Sequence, residues 1–334
     1  MSAHSRPFGT TAEGQPVRAC TIGQGPLQVT ILTWGAVLQD VRLAGVAHGL
    51  TLGTNDLAGY EAGMISFGAL MGPVANRIRD ARAPIAGNIH HFEANLAGKH
   101  TLHGGSEGTQ GRVWDLVAQG PDQVTLATEL PDGLSGFPGQ RRLEATYRVT
   151  GCDLDLEITG TTDVPTLMNI ANHSYWNLDG TDRIDGHRLQ VHAARYTKSD
   201  EDLIVTGALG EVPGTPLDFT EPRPFAPGPE RRYDLNYVLS PARRDLSPAC
   251  RLVGASGIAM EMFTTEPGLQ VFDLGTFDTA PYAVHSGRIA PRFSAIALEA
   301  QVWPDAANHA GFPSIEVTPD APYRQHTRWR FTAP

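Results

Sequence analysis

The chain has 334 residues, 41% of them hydrophobic, with a formal net charge of -10 and a pI near 5.6. That acidic balance, with Lys and Arg scattered, argues against a nucleic-acid partner, which needs concentrated positive charge, and directs attention to a small molecule. Cys20, Cys152 and Cys250 match neither a disulfide framework nor a zinc set, Met1 to Val17 lacks a leader's apolar stretch, and no apolar run nears the ~18 residues of a membrane span. A soluble cytoplasmic protein with reduced thiols and no membrane partner is therefore expected.

From Pro26 to Val46 the reading is strand, turn, strand: Leu27, Val29 and Ile31 alternate, Trp34-Gly35 interrupts, and Val37, Val41 and Leu43 resume. Asp40 to Gly49 reads as the loop or hairpin leading onward. The small apolar run from Ser66 then delivers Asn76-Arg77, whose directed donors suit a hydroxylated or anionic ligand as well as they suit a solvated loop. Ile85-Ala86-Gly87-Asn88 is a hairpin turn, with His90 and Phe92 opening the next strand. In Leu102-His103-Gly104-Gly105 the glycines permit positive φ and leave His103 at the lip of a loop. His100 is close, but no third ligand stands at metal spacing, so a polar ligand contact is expected there and no metal.

Between Val113 and Thr162 the pattern is β: Val124, Leu126 and Ala127 in one strand, a Gly/Pro-rich loop from Pro131 to Gly139, then Leu143, Ala145, Tyr147 and Val149 alternating. Leu154 to Thr159 alternates strictly, the antiparallel signature, which puts Asp155 and Glu157 on an outward face as solvated charges. Asn172-His173-Ser174-Tyr175-Trp176-Asn177-Leu178 is the sharpest anomaly. It sets an imidazole, a hydroxyl, a phenol, an indole and two amides where a core strand would carry Val, Ile and Leu. It lines a wet cavity, or it is a well-bonded core segment.

Leu189 to Ala193 is another strand, Tyr196 to Pro216 a long turn-rich stretch, and Tyr233 to Leu239 the next β run, with Asp234 and Asn236 on one face. Asp234 among aromatics suits sugar hydroxyls, or caps a turn. Gln270 interrupts the apolar strand Gly268 to Phe272. Glu299 lies in the apolar run Ile296 to Trp303, where a carboxylate needs a partner or a chemical reason. Arg328 to Phe331 closes the chain as a strand. No stretch carries a helical period over three turns and turn signals recur every ~8–12 residues, which argues an all-β protein, a sandwich or barrel, in one domain.

Asn76, Arg77, His103, His173, Asp234, Gln270 and Glu299, without a phosphate-cradling glycine loop or a nucleophile elbow, form a kit for acid–base chemistry on a polyhydroxylated substrate. With them the sequence resembles the aldose 1-epimerases, or galactose mutarotases, from about Trp34 to Phe331. The resemblance rests on Gly72-Pro73-Val74-Ala75-Asn76-Arg77-Ile78, Leu102-His103-Gly104-Gly105, Asn172 to Leu178, Tyr233-Asp234-Leu235-Asn236-Tyr237 and Leu298-Glu299-Ala300-Gln301-Val302-Trp303-Pro304-Asp305, in that order. It departs from the family's usual pattern at Pro73, at Thr109-Gln110 and at Ala300.

The resemblance implies a large antiparallel β super-sandwich over residues 1–334, its core between about 20 and 332, and interconversion of the anomers of a free aldohexose. Carried over by position, Glu299 is the general base, His173 the general acid, and Asn76, Arg77, His103, Asp234 and Gln270 bind the sugar. It implies a monosaccharide substrate, no metal or other cofactor, and a monomer or weak homodimer. The rivals are a glycoside hydrolase using Asp234 and Glu299, an epimerase of the same fold for a pentose, deoxy or phosphorylated sugar, and a sugar-binding protein without catalysis.

Overall fold

The computed structural model describes residues 4–334; Met1 to Ala3, the start of the domain expected over 1–334 and of the stretch in which no leader is expected, lie outside the described residues. The alternating segments pair into a nine-stranded, a six-stranded and a four-stranded sheet with antiparallel neighbours, joined by two-stranded ribbons. The nine-stranded sheet is built on the long strands Arg141–Thr150, Asp153–Thr162 and Tyr323–Thr332. Each buries one face, with Tyr147, Leu156 and Trp329 inside, and wets the other, with Arg142, Glu157 and Arg330 outside.

The six-stranded sheet runs in the order Tyr175–Trp176, Ile296–Gln301, Gly268–Phe272, Asp234–Val238, Arg195–Ser199, Val205–Glu211. Tyr237, Leu269, Val271, Ile296, Leu298 and Ala300 from one face share a core with Leu126, Tyr147, Leu156 and Trp329 of the large sheet. Each fully buried aliphatic there contributes roughly 1.5–3 kcal/mol. Trp176 closes the layer, its ring 5.9 Å from that of Trp329 and 5.8 Å from that of Phe331. On the opposite face, Tyr175 and Ala297 join a second core with Val17, Ala19 and Leu32 of the four-stranded sheet and Leu57 and Tyr60 of a short helix. That helix, Leu57–Glu61, has Asp56 as its N-cap, the carboxylate accepting from Ala58 N–H at 3.0 Å. The second core stops short of Asp234, Asn236, Gln270 and Glu299, so one sheet face is apolar at one end and polar at the other.

Three local expectations are corrected. Asp40 lies inside the strand Leu38–Leu43, tolerated there because Arg42 Nε donates to it at 2.6 Å, and the loop begins only after Leu43. The stretch from Tyr196 to Pro216 is largely a hairpin, Arg195–Ser199 with Val205–Glu211. It forms the edge of its sheet and buries few side chains, so it lacks the alternation that marks an interior strand. Asp155 is buried, not solvated: Arg328 Nε donates to it at 2.8 Å, and His326 Nε2 lies 2.6 Å away. The hairpin at Ala86-Gly87 forms as expected, its second strand Asn88–His91 ending before Phe92. The cysteines are free thiols. Among the described residues no helix is long and apolar enough to cross a membrane.

The bonds at Asp155 make a testable contribution to acid stability. Burial raises its pKa, but the bonds from His326 and Arg328 outweigh this and leave it below the ordinary carboxylate value. A depressed folded-state pKa stabilises the fold above the unfolded value of about 3.9, and the contribution is lost as pH falls through the folded value. Urea midpoints measured from about pH 5 downward should therefore fall less steeply for Asp155→Asn than for the native protein. Parallel acid limbs would contradict the assignment.

Candidate active site

Glu299, Gln270 and Asp234 reach one cleft because a strand alternates its side chains. Leu298 and Ala300 flank Glu299, Leu269 and Val271 flank Gln270, and all four face the core, which forces the polar residues to the other side. The register aligns them, Glu299 opposite Gln270 and Gln270 opposite Asn236, while Asp234 sits one pleat along, opposite Phe272. Gln270 Nε2 donates to Asp234 Oδ1 at 2.6 Å, and Arg77 Nη2 lies 3.5 Å from Asp234 Oδ2.

His173 is carried between the short strands Ala171–Asn172 and Tyr175–Trp176 and is fixed by its main chain. Its N–H donates to Ala69 C=O and its C=O accepts from Gly68 N–H, both at 3.0 Å. The amides of the motif serve the backbone: Asn172 Nδ2 donates to Gly68 C=O, and Asn177 Nδ2 to the carbonyls of Thr181 and Ser294. The imidazole is thus aimed by a packed frame. Its Nε2 lies 3.4 Å from Glu299 Oε1, longer than a well-formed hydrogen bond, with both side chains almost wholly buried.

Asn76, Arg77 and His103 come from a third place. The two-residue strands Arg77–Ile78 and Thr101–Leu102 pair, which sets two left-handed residues side by side, Asn76 at φ 62° and His103 at φ 51°. Asn76 N–H donates to His103 Nδ1 at 3.2 Å, and His103 N–H donates to Asn76 C=O at 2.9 Å. With Nδ1 accepting, the neutral ring carries its proton on Nε2 and is a donor. Gly104 follows at φ 78°, where a Cβ would come within 2.4 Å of the Gly72 carbonyl oxygen, so glycine is required for the turn.

All seven residues expected at the site line one cleft of about 490 Å³. Tyr175, Phe272 and Phe277 supply apolar walls, and Ser66, Ser106 and Gln110 add polar groups. Tyr175 was readable from its place two residues after His173, and Phe272 from its place two after Gln270. Phe277 lies in a loop, and no periodicity marks it. Trp176 faces the core and Ser174 is buried behind the cleft, so the aromatic motif divides between the two faces. Ala300 also faces the core, so that departure from the family pattern does not touch a ligand in the cleft.

The electrostatics separate the two central groups. Burial, reinforced by the Asp234 carboxylate and partly offset by Arg77, holds Glu299 well above the ordinary carboxylate range. Burial lowers His173 to about 4 against a bond to its own backbone, and His103 is driven well below the usual imidazole value by burial, then by His173 and Arg77. Asp234 is raised, chiefly by burial, although Arg77 and Gln270 oppose it. Among the described residues, no group of three or more His, Cys, Asp or Glu side chains is placed to hold a metal ion.

The family model for aldose 1-epimerase matches residues 18–330. The chain is 32% identical to the galactose mutarotase of Rattus norvegicus over 95% of its own length and 94% of that protein. It is 31% identical to the aldose 1-epimerase of Escherichia coli K12 over 96% and 97% of the two chains. The structure of an aldose epimerase homologue from C. elegans superposes with a TM-score of 0.86 at 27% identity, covering 94% of this chain and 99% of that one. A galactose 1-epimerase from Lactobacillus acidophilus shares the fold, with a TM-score of 0.84 at 23% identity over 99% and 98% of the chains. With its cleft set on the polar end of a β-sheet and its match running almost end to end, the chain belongs to the aldose 1-epimerase family.

Proposed function

We propose that the protein is a mutarotase, an isomerase that interconverts the α and β anomers of free aldohexoses such as glucose or galactose by opening and reclosing the ring. The observation that carries the reading is the buried pair of Glu299 and His173, 3.4 Å apart at the base of a polar cleft, in a chain of this family. Glu299 takes the proton of the C1 hydroxyl, the O–H electrons form the carbonyl at C1, and the C1–O5 bond breaks. His173 gives its proton to O5. Rotation about C1–C2 turns the other face of the aldehyde, and the reverse transfers close the ring as the other anomer.

The reacting state has Glu299 ionised and His173 protonated. Ring opening leaves Glu299 protonated and His173 neutral, the distribution that burial favours. Proton transfer therefore runs with the local field, and positioned acid and base together supply the ~10²–10⁴-fold typical of such catalysis. Arg77, Asp234, Gln270, Asn76 and the Nε2–H of His103 take the sugar hydroxyls, and Tyr175 and Phe272 cover C–H faces. Among the described residues Arg77 is the single Lys or Arg lining the cleft, which favours a free sugar over a phosphorylated one.

Polarimetry tests this reading. The decay of optical rotation of freshly dissolved α-glucose and α-galactose should accelerate in proportion to enzyme, with no reducing sugar released from glycosides. Decay at the buffer rate would leave a binding protein, and release from glycosides would leave a hydrolase.

A further inference from the structure

The polar row of the six-stranded sheet runs past Gln270 to Asn236, which the chemistry above does not use. Asn236 is 2% exposed, and neither its Oδ1 nor its Nδ2 has a hydrogen-bond partner among the described residues. Its amide occupies space that Gly268 leaves open, since a Cβ there would come within 2.5 Å of Asn236 Oδ1. Two further buried polar atoms lack partners nearby, Thr197 Oγ1 and Arg77 Nε. Thr197, Asn236 and Arg77 line one small pocket of about 10 Å³ behind the sugar cleft, bordered also by Asp234 and Gln270. A buried amide without a partner is costly, and so is an unpaired guanidinium N–H, so their convergence on one small space requires an explanation.

We propose that Asn236 is a positioning residue for sugar binding: with Thr197 it holds one water against Arg77 Nε and so fixes the guanidinium that faces the substrate. The space fits a single water, and the water has enough polar partners. Its oxygen accepts the Arg77 Nε–H, and its two protons go to Asn236 Oδ1 and Thr197 Oγ1. An anion would meet Asp234 and a cation Arg77, which leaves a neutral occupant. The other holds on the guanidinium are loose, 3.4 Å from Nη1 to Asn76 Oδ1 and 3.5 Å from Nη2 to Asp234, so a third anchor decides its orientation. Asn236 itself does not line the sugar cleft, so its effect passes through Arg77.

This inference rests on the mutarotase reading for its kinetic test, and calorimetric titration with galactose measures the same effect without catalysis. Asn236→Ala should raise KM for mutarotation, and Kd for galactose, by about 5–10-fold with kcat within about twofold, the pattern of lost uniform binding. Asn236→Ser, which offers a hydroxyl oxygen in place of the amide, should show a smaller loss than Asn236→Ala. In an Arg77→Lys background, where Nε is gone, Asn236→Ala should add less than about twofold. A KM and Kd within twofold of the native values would overturn the proposal, as would an equal rise in the Arg77→Lys background or a loss confined to melting temperature. If the native protein binds galactose without accelerating mutarotation, the functional reading fails, and the titration still decides the role of Asn236.

Discussion

Glu299→Gln should lower kcat for mutarotation by about 10²–10⁴-fold, with the melting temperature close to native. The amide keeps the volume and one acceptor oxygen, and it relieves a buried acid of ionisation, so the core beneath Leu298 and Ala300 has no reason to shift. What is lost is the ability to take the C1 hydroxyl proton. The sugar still meets Arg77, Asp234 and Gln270, so Kd should change little. Polarimetry over a range of α-galactose concentrations gives kcat and KM separately. A kcat within tenfold of native would show that another group is the base.

His173→Asn should cause a loss of similar size, with a different signature in pH. The native pair is active when it carries one proton in total, so the profile of kcat/KM should be a bell with apparent values that belong to the pair. Its acid limb marks a second proton on the pair, and its alkaline limb the loss of the last one. With His173 removed, the residual rate depends on Glu299 alone. Because burial and Asp234 raise the Glu299 pKa, that rate should climb with pH beyond the ordinary carboxylate range of about 4.3 and then level off, with no alkaline fall. A retained bell would mean that His173 is not the acid. The two losses should not multiply in the double variant, since removal of either partner already forfeits most of what the acid and base achieve together. The backbone bonds from Gly68 and to Ala69 do not depend on the imidazole, so the frame should survive the change.

Much of the site was legible because a strand's period of two makes polar exceptions conspicuous. Glu299 among Ile296, Leu298 and Val302 and Gln270 between Leu269 and Val271 each break an apolar rhythm that the sequence displays without help, whereas Asp234, beside Leu235, reads equally as a turn cap until the family motif is set beside it. The same rhythm marked Leu143 to Val149 and Leu154 to Thr159 as neighbouring antiparallel strands, and they pair residue for residue across Gly151. The motif around His173 was conspicuous for its polarity, but its division between cleft and core was hidden. Whether Tyr175 or Trp176 faces the sugar depends on which sheet face each meets, and that is decided by Trp329 and Phe331, more than 150 positions away.

Local pattern also misled where burial came from partners distant in sequence. Asp155 reads as a wet charge because its strand alternates, yet it is covered by Arg328 and His326 from the final strand. The hairpin Arg195–Glu211 reads as turns because an edge strand hides too few side chains to show a period. The sequence alone therefore determined that the chain is predominantly β, which residues interrupt its apolar faces, and, through its motifs, the family to which it belongs. Tertiary structure alone decided that Glu299, Gln270 and Asp234 stand in adjacent strands, that Gly68 and Ala69 bring His173 to 3.4 Å from Glu299, and that Asn236 lies behind Arg77. Periodicity fixes the direction in which a side chain points, whereas the order and register of strands come from burial and pairing between distant segments, which no local window contains.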